Sequence, residues 1–228
     1  MGDPPLKLQF WTLLRSVALQ QVLPATMLNQ TICGSYYKER QQLVSTRGVD
    51  AVWVGNDGSE EYKGSPSLAK TTAKIFGKNS SLQNEVFGPL SLIVVCEDES
   101  DLRSALRSLH GQLTATVIGM PDDLKRFQNC IDLLIARVGR MIYNGVPTGV
   151  EVSHSMMHGG PFPSTSFAHF TSVGTEAIKR FLRPVCYQDC PQEFLPDALK
   201  SENPLRIMRK LNGVYTRDAV QQLEAVPQ

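Results

Sequence analysis

The chain has 228 residues, 42% of them hydrophobic and 20% charged, with 23 Lys and Arg against 22 Asp and Glu. A chain of this length buries roughly 70% of its extended surface on folding, so it needs neither disulfides nor a metal to hold a core; its formal charge of +1 supplies no field to hold a nucleic acid. Five cysteines without paired spacing, and no apolar leader, fit a reducing cytoplasmic setting, and the apolar runs are far shorter than the roughly 18 residues of a membrane span.

In chain order, apolar residues at Phe10, Leu13, Leu14, Val17 and Val22 repeat with helical period over Leu8 to Leu23, where Pro24 stops them. A second helix is expected at about Ser35 to Ser45, then a strand over Val49 to Val54 closed by the turn Asn56-Asp57-Gly58. Leu68 to Phe76 has room for one strand. Leu90 to Cys96 is a near-continuous apolar run and reads as a central strand covered on both faces.

The next helix is capped by Asp98 or Ser100, carries the stripe Leu102, Ala105, Leu106 and Leu109, and is expected to end at Gly111. Leu113 to Ile118 returns as a strand. Pro121 opens a helix with Leu124, Phe127, Ile131, Leu134, Ile135 and Val138 on its buried side and Gly139 at its end, and Met141 to Tyr143 is the third strand. This alternation predicts an α/β fold with a parallel-type sheet flanked by helices, with ligands met at the carboxyl ends of strands.

The loops that draw attention are Glu85 to Pro89 and the long segment Asn144 to Thr175, which holds three of the four histidines and has little hydrophobic period. After it come a short helix, Thr175 to Leu182, and a strand, Arg183 to Gln188, which Pro184 places at an edge. His154 and His158 stand four apart but lack the glutamate of a metalloprotease motif, and Gly159 would break any helix, so no metal site is expected. Cys186 and Cys190 have no second pair, which argues against a zinc ribbon. Cys33, Cys96 and Cys130 read as structural thiols.

Glu85-Val86-Phe87-Gly88-Pro89, leading into an apolar strand, resembles the aldehyde dehydrogenase superfamily. The resemblance continues in order through Gly111 to Thr116, Val138-Gly139-Arg140, Asn144 to Val150, His158 to Pro163 and Thr171 to Thr175, and ends with Ile178 to Gln188. It is most similar to the α-ketoglutarate semialdehyde (2,5-dioxovalerate) dehydrogenase branch and runs from about Phe10 to Gly213. It implies the carboxyl-terminal catalytic-domain portion of that fold over residues 1–175, followed over 176–228 by a helix, an oligomerisation strand and a tail. The family reaction it implies is oxidation of an aldehyde to an acid with NAD or NADP: a cysteine thiolate attacks the aldehyde, hydride passes to the cofactor, and activated water releases the acid.

By the same resemblance Glu85 would accept hydrogen bonds from the nicotinamide ribose and Phe87 would pack near the nicotinamide, while Asn144, Pro147, Thr148 and Phe162 would line the substrate tunnel. The family's Rossmann-like domain, catalytic cysteine and general-base glutamate find no counterpart among these residues; Cys33, in Gln30-Thr31-Ile32-Cys33-Gly34, does not match the nucleophile loop. The isolated chain is therefore expected to be inactive. Its expected partners are a second copy or a full-length aldehyde dehydrogenase relative, and its alternative role is that of a non-catalytic interaction module or the product of a split gene. Ser166 to Phe170 departs from the branch, which bears on substrate preference.

Overall fold

The computed structural model describes residues 14, 16, 22–56 and 62–220. The helix expected over Leu8 to Leu23 lies almost wholly outside the described residues, as does most of the turn Asn56-Asp57-Gly58. The chain divides into two compact units, Met1–Arg180 and Phe181–Gln228.

In the first unit the order is β1 (Ala25–Thr26), α1 (Gln30–Val44), β2 (Asp50–Val54), β3 (Lys63–Gly64), β4 (Ser67–Thr72), α2 (Ala73–Lys78), β5 (Leu90–Val95), α3 (Glu99–Ser108), β6 (Gln112–Val117), α4 (Pro121–Arg126), α5 (Gln128–Ile135) and β7 (Val138–Tyr143). A 3₁₀ turn covers Ser80–Gln83 and another covers Thr175–Phe181. Helix α1 begins five residues before its expected start, because Asn29 Oδ1 accepts the Ile32 N–H at 2.9 Å and supplies the cap. The strand expected over Leu68 to Phe76 stops at Thr72, whose hydroxyl accepts the Ile75 N–H and turns the chain into α2.

Strands β2, β4 and β5 form one sheet in that order, β2 antiparallel to β4 and β4 parallel to β5. The middle strand is therefore β4, which buries Ser67, Leu68, Ala69 and Thr71. The run Leu90 to Cys96, expected to be central and covered on both faces, is instead the lateral strand β5 and is only half-buried. Strands β6 and β7 pair in parallel as a separate two-stranded sheet. The three expected strands thus exist, but they do not make one continuous sheet within the described residues. Leu43, Val49, Ala69, Ala73, Phe76, Leu82 and Ala105 form the core, joining α1, β4, α2 and α3.

Two helix ends differ from expectation. Helix α3 ends at Ser108 rather than near Gly111, and the helix opened by Pro121 breaks at Phe127 and finishes at Ile135. Gly139 caps no helix and lies inside β7, where a methyl group would meet the Gly159 carbonyl. Ile135, expected on the buried face, is 51% exposed, while Cys130 and Ile131 are buried.

In the second unit the 3₁₀ turn Gln192–Phe194 precedes the hairpin β8 (Arg209–Leu211) and β9 (Val214–Thr216). Arg209 donates to the carbonyls of Lys200, Ser201 and Asp218, and Asn203 Nδ2 donates to those of Ile207 and Arg217. The expected strand over Arg183 to Gln188 forms no ladder among the described residues; strand geometry requires a hydrogen-bonded neighbour, and none of those residues provides one.

Candidate active-site elements

The Glu85 loop is set by Tyr36 of α1. This ring is fully buried, and its hydroxyl donates to the Ser65 carbonyl at 2.5 Å with the Pro89 carbonyl 3.3 Å away. A methyl group on Gly88 would run into the ring, so the motif glycine permits the close approach that fixes the loop. Burial holds the Tyr36 phenol above its usual ionisation range. Below it Arg40, also buried, stacks its guanidinium 4.6 Å from the Tyr37 ring and donates to the Gly55 carbonyl.

On this platform the Glu85 side chain is exposed and Phe87 is 63% exposed. An exposed carboxylate and an open aromatic face, side by side on a loop held by buried contacts, fit a sugar diol and a flat ring. Glu85 also borders a groove of about 590 Å³ formed with Gln83, His110 to Thr114, Pro163 and Ser164. Phe162, next to Pro163, is 82% exposed. The structure therefore brings the Glu85 loop and the Phe162 loop to the same groove.

That groove lies beside the amino ends of β5 and β6, since Glu85 precedes Leu90 and the groove follows the first residues of β6. Glu85 to Pro89, expected to lead into the Leu90 strand, thus stands at an amino end rather than at the carboxyl ends where ligands are generally met. Asn144, Pro147 and Thr148 do follow the carboxyl end of β7. Asn144 adopts a left-handed backbone with φ 48° and ties the two strand ends together: Oδ1 accepts the Gly119 N–H at 2.9 Å, and Nδ2 donates to the Gly119 carbonyl at 3.1 Å. From within β7, Arg140 donates to the Gly149 carbonyl at 2.9 Å and the Pro147 carbonyl at 3.4 Å, drawing the loop back toward the strand. Arg140 stands in the motif Val138-Gly139-Arg140, which assigned it no positioning role, and Tyr36 is the positioning residue that no motif or spacing marks.

The segment from Asn144 to Gly174 contains no helix or strand, so the four-residue spacing of His154 and His158 does not place their rings on one helical face. His154 Nδ1 pairs with the Thr175 hydroxyl at 3.0 Å, and the His158 main chain is held by Thr171 and Ser172. Among the described residues no group of three or more His, Cys, Asp or Glu is placed to hold a metal. Cys33 is buried with Sγ 3.7 Å from the Lys63 carbonyl. Burial raises the thiol pKa of Cys96, with a further push from Asp101 and Asp98, and burial likewise raises that of Cys130, so both are held as thiols. No helix of the described residues is long and apolar enough to cross a membrane.

No protein-family model matches the chain. The chain is 45% identical over 197 residues to alpha-ketoglutaric semialdehyde dehydrogenase of Acinetobacter baylyi, covering 86% of this chain and 38% of the relative. It is 42% identical over 196 residues to alpha-ketoglutaric semialdehyde dehydrogenase 2 of Azospirillum brasilense, covering 86% and 37%. Among solved structures, betaine aldehyde dehydrogenase of Staphylococcus aureus matches 77% of this chain and 35% of its own at a TM-score of 0.54 and 14% identity. Lactaldehyde dehydrogenase of Escherichia coli matches 70% and 31% at a TM-score of 0.51 and 18% identity. These two likenesses concern the fold. The chain thus spans less than two fifths of the curated relatives it matches, and over the matched residues it is similar to a portion of two proteins named alpha-ketoglutaric semialdehyde dehydrogenase.

Proposed function

We propose that this chain is the carboxyl-terminal portion of an aldehyde dehydrogenase and supplies the nicotinamide-facing and substrate-facing loops of an NAD(P)-dependent site that oxidises α-ketoglutarate semialdehyde. The observation that carries this reading is the 45% identity over 197 residues to a relative of that name, because the matched length includes both loops. The cofactor, when bound, accepts a hydride from the substrate. This chain's part is positional. Glu85 would hold two vicinal hydroxyls, Phe87 would offer a ring face, and Phe162 with Pro147 and Thr148 would border the aldehyde. Asn144 acts through Gly119 by fixing where the loop departs from β7.

The test is to co-express this chain with the portion of the Acinetobacter baylyi relative that it does not match, and to follow NADH or NADPH formation from α-ketoglutarate semialdehyde. Activity is expected from the pair and from neither part alone. Glu85→Gln should raise the KM for the cofactor about tenfold, the worth of one charge-assisted hydrogen bond. A pair that assembles without turnover would overturn the reading.

A second reading, an interaction module without catalysis, is favoured by the segment Arg183 to Gln188. It carries Val185 at 54% and Tyr187 at 46% exposure and has no ladder of its own. In this reading the segment pairs with a second copy or with a full-length relative.

A further inference from the structure

The groove beside Glu85 has two walls from distant parts of the chain, Gln83 to Glu85 on one side and His110 to Thr114 on the other. The first wall leaves the 3₁₀ turn Ser80–Gln83, whose start is fixed by Asn79: its Oδ1 accepts the Ser81 N–H at 3.1 Å and the Ser81 hydroxyl at 2.7 Å. Leu82 of this turn is buried in the core. Gln83 therefore stands on a fixed base, immediately before the exposed pair Asn84 and Glu85.

Among the described residues, both hydrogen bonds that join this turn to the segment entering β6 are made by the Gln83 side chain. Its Nε2 donates to the Ser108 carbonyl at 2.9 Å, and its Oε1 accepts the His110 N–H at 2.8 Å. A primary amide presents a donor and an acceptor on one planar group, which suits a carbonyl and an N–H that lie close together on one stretch of chain. The Ser108 carbonyl is among the last of α3, which have no partner inside the helix, so the same clamp caps α3 just before β6 begins.

The segment that receives this clamp also carries the other loop of the site. Gly111 is buried, and a methyl group on it would meet the carbonyl oxygens of Pro161 and Phe162, so the Phe162 loop is seated on the Gly111 main chain. Gln112 donates its N–H to the Arg137 carbonyl at 2.8 Å, which fixes the segment from the β7 side. His110, Gly111 and Gln112 are thus consecutive points of attachment for the Glu85 loop, the Phe162 loop and the start of β7.

We propose that Gln83 is a positioning residue for the cofactor: its amide sets the spacing between the Glu85 loop and the entry to β6, and through Gly111 the spacing between the loop that faces the nicotinamide and the loop that borders the aldehyde. Hydride transfer needs these two partners held in one geometry, and Gln83 supplies the link on the cofactor side while Gly111 supplies it on the substrate side. Without the clamp the Glu85 loop loses its register to β6, whereas the Phe162 loop keeps its seat. The inference rests on the function proposed above and goes beyond it by naming the side chain that spaces the two halves of the site.

The experiment uses the full chain, alone and paired with the unmatched portion of the Acinetobacter baylyi relative. Gln83→Ala removes both bonds; Gln83→Glu keeps the shape of the side chain but loses the donor to Ser108, and it serves where the alanine variant does not fold. In NMR spectra of the chain alone both variants should move the Glu85 amide resonance, whereas Ser108→Ala, which leaves its carbonyl in place, should not. In the pair both should raise the KM for the cofactor about tenfold while the KM for the aldehyde stays within about twofold. An unmoved Glu85 resonance overturns the inference. So does a fall in kcat with both KM values unchanged, the mark of a merely structural loss of folded enzyme, and so does an equal rise in both. Turnover by the unmodified pair with the cofactor KM unaltered in the variants sinks this inference alone, whereas an unmodified pair that assembles without turnover sinks the proposed function and this inference with it.

Discussion

Asn144 shows how one side chain can fix a loop. Its amide spends both ends on Gly119, and its left-handed backbone suits Asn better than most residues. Asn144→Ala should cost about 1–3 kcal/mol in urea unfolding, the penalty of orphaning the Gly119 groups and straining the backbone. Tyr36 gives a prediction with a pH sign. Burial raises its pKa above the ordinary value of 10.0, so the unfolded state loses this proton first. The stability linked to Tyr36 is therefore complete below about pH 10 and declines as pH rises through the folded-state value. Tyr36→Phe should lower stability at pH 7 by about 1 kcal/mol, through the lost hydroxyl bond, and flatten the alkaline decline in melts taken above pH 10. Among the thiols, exposed Cys186 should react with iodoacetamide first and buried Cys33 and Cys130 last, as mass spectrometry of partly labelled protein would show.

At the scale of elements, the segment Arg183 to Gln188 has the composition of a strand and, among the described residues, lacks the neighbour that would make it one. Replacing Val185 and Tyr187 by lysine puts charge on the expected contact. If the segment pairs between chains, sedimentation analysis should move toward the monomer with the double substitution and leave the melting temperature of the first unit unchanged. The strand and helix positions from Leu90 to Tyr143 were legible because each element carries a cap or a period of its own, such as Asp98 accepting the Asp101 N–H at 2.8 Å. The start of α1 was not, since Thr31, Ile32 and Gly34 are weak helix formers and only the Asn29 cap marks the end. The hairpin β8–β9 was not anticipated, although the Asn212-Gly213 pair, whose φ values of 48° and 89° fit a tight two-residue turn, is a signal that could have marked it.

For the whole molecule, covalent catalysis needs a nucleophile held against the aldehyde and a nicotinamide held beside it. The protonated thiols of half-buried Cys96 and buried Cys130 do not supply the first, and the Glu85 loop would contact only the nicotinamide end of the second. The chain by itself is expected to form no NADH from α-ketoglutarate semialdehyde. Calorimetry should detect NAD binding weaker than about 1 mM, roughly −4 kcal/mol; a micromolar constant would show a complete cofactor site within these residues.

The sequence by itself determined the local elements from Leu90 to Tyr143 and the resemblance carried by Glu85 to Pro89 and Asn144 to Val150, because caps, periods and motifs act over a few residues. Only the tertiary structure decided which strand is central, that Glu85 and Pro163 border a common groove at the amino ends of strands, and that Tyr36 and Arg140 hold the two loops. Those facts depend on contacts between residues far apart in the chain, such as Tyr36 with Ser65 and Pro89. The apolar run Leu90 to Val95 records the burial a strand would have in a completed sheet, whereas the position it occupies here depends on which neighbours are present to pair with it.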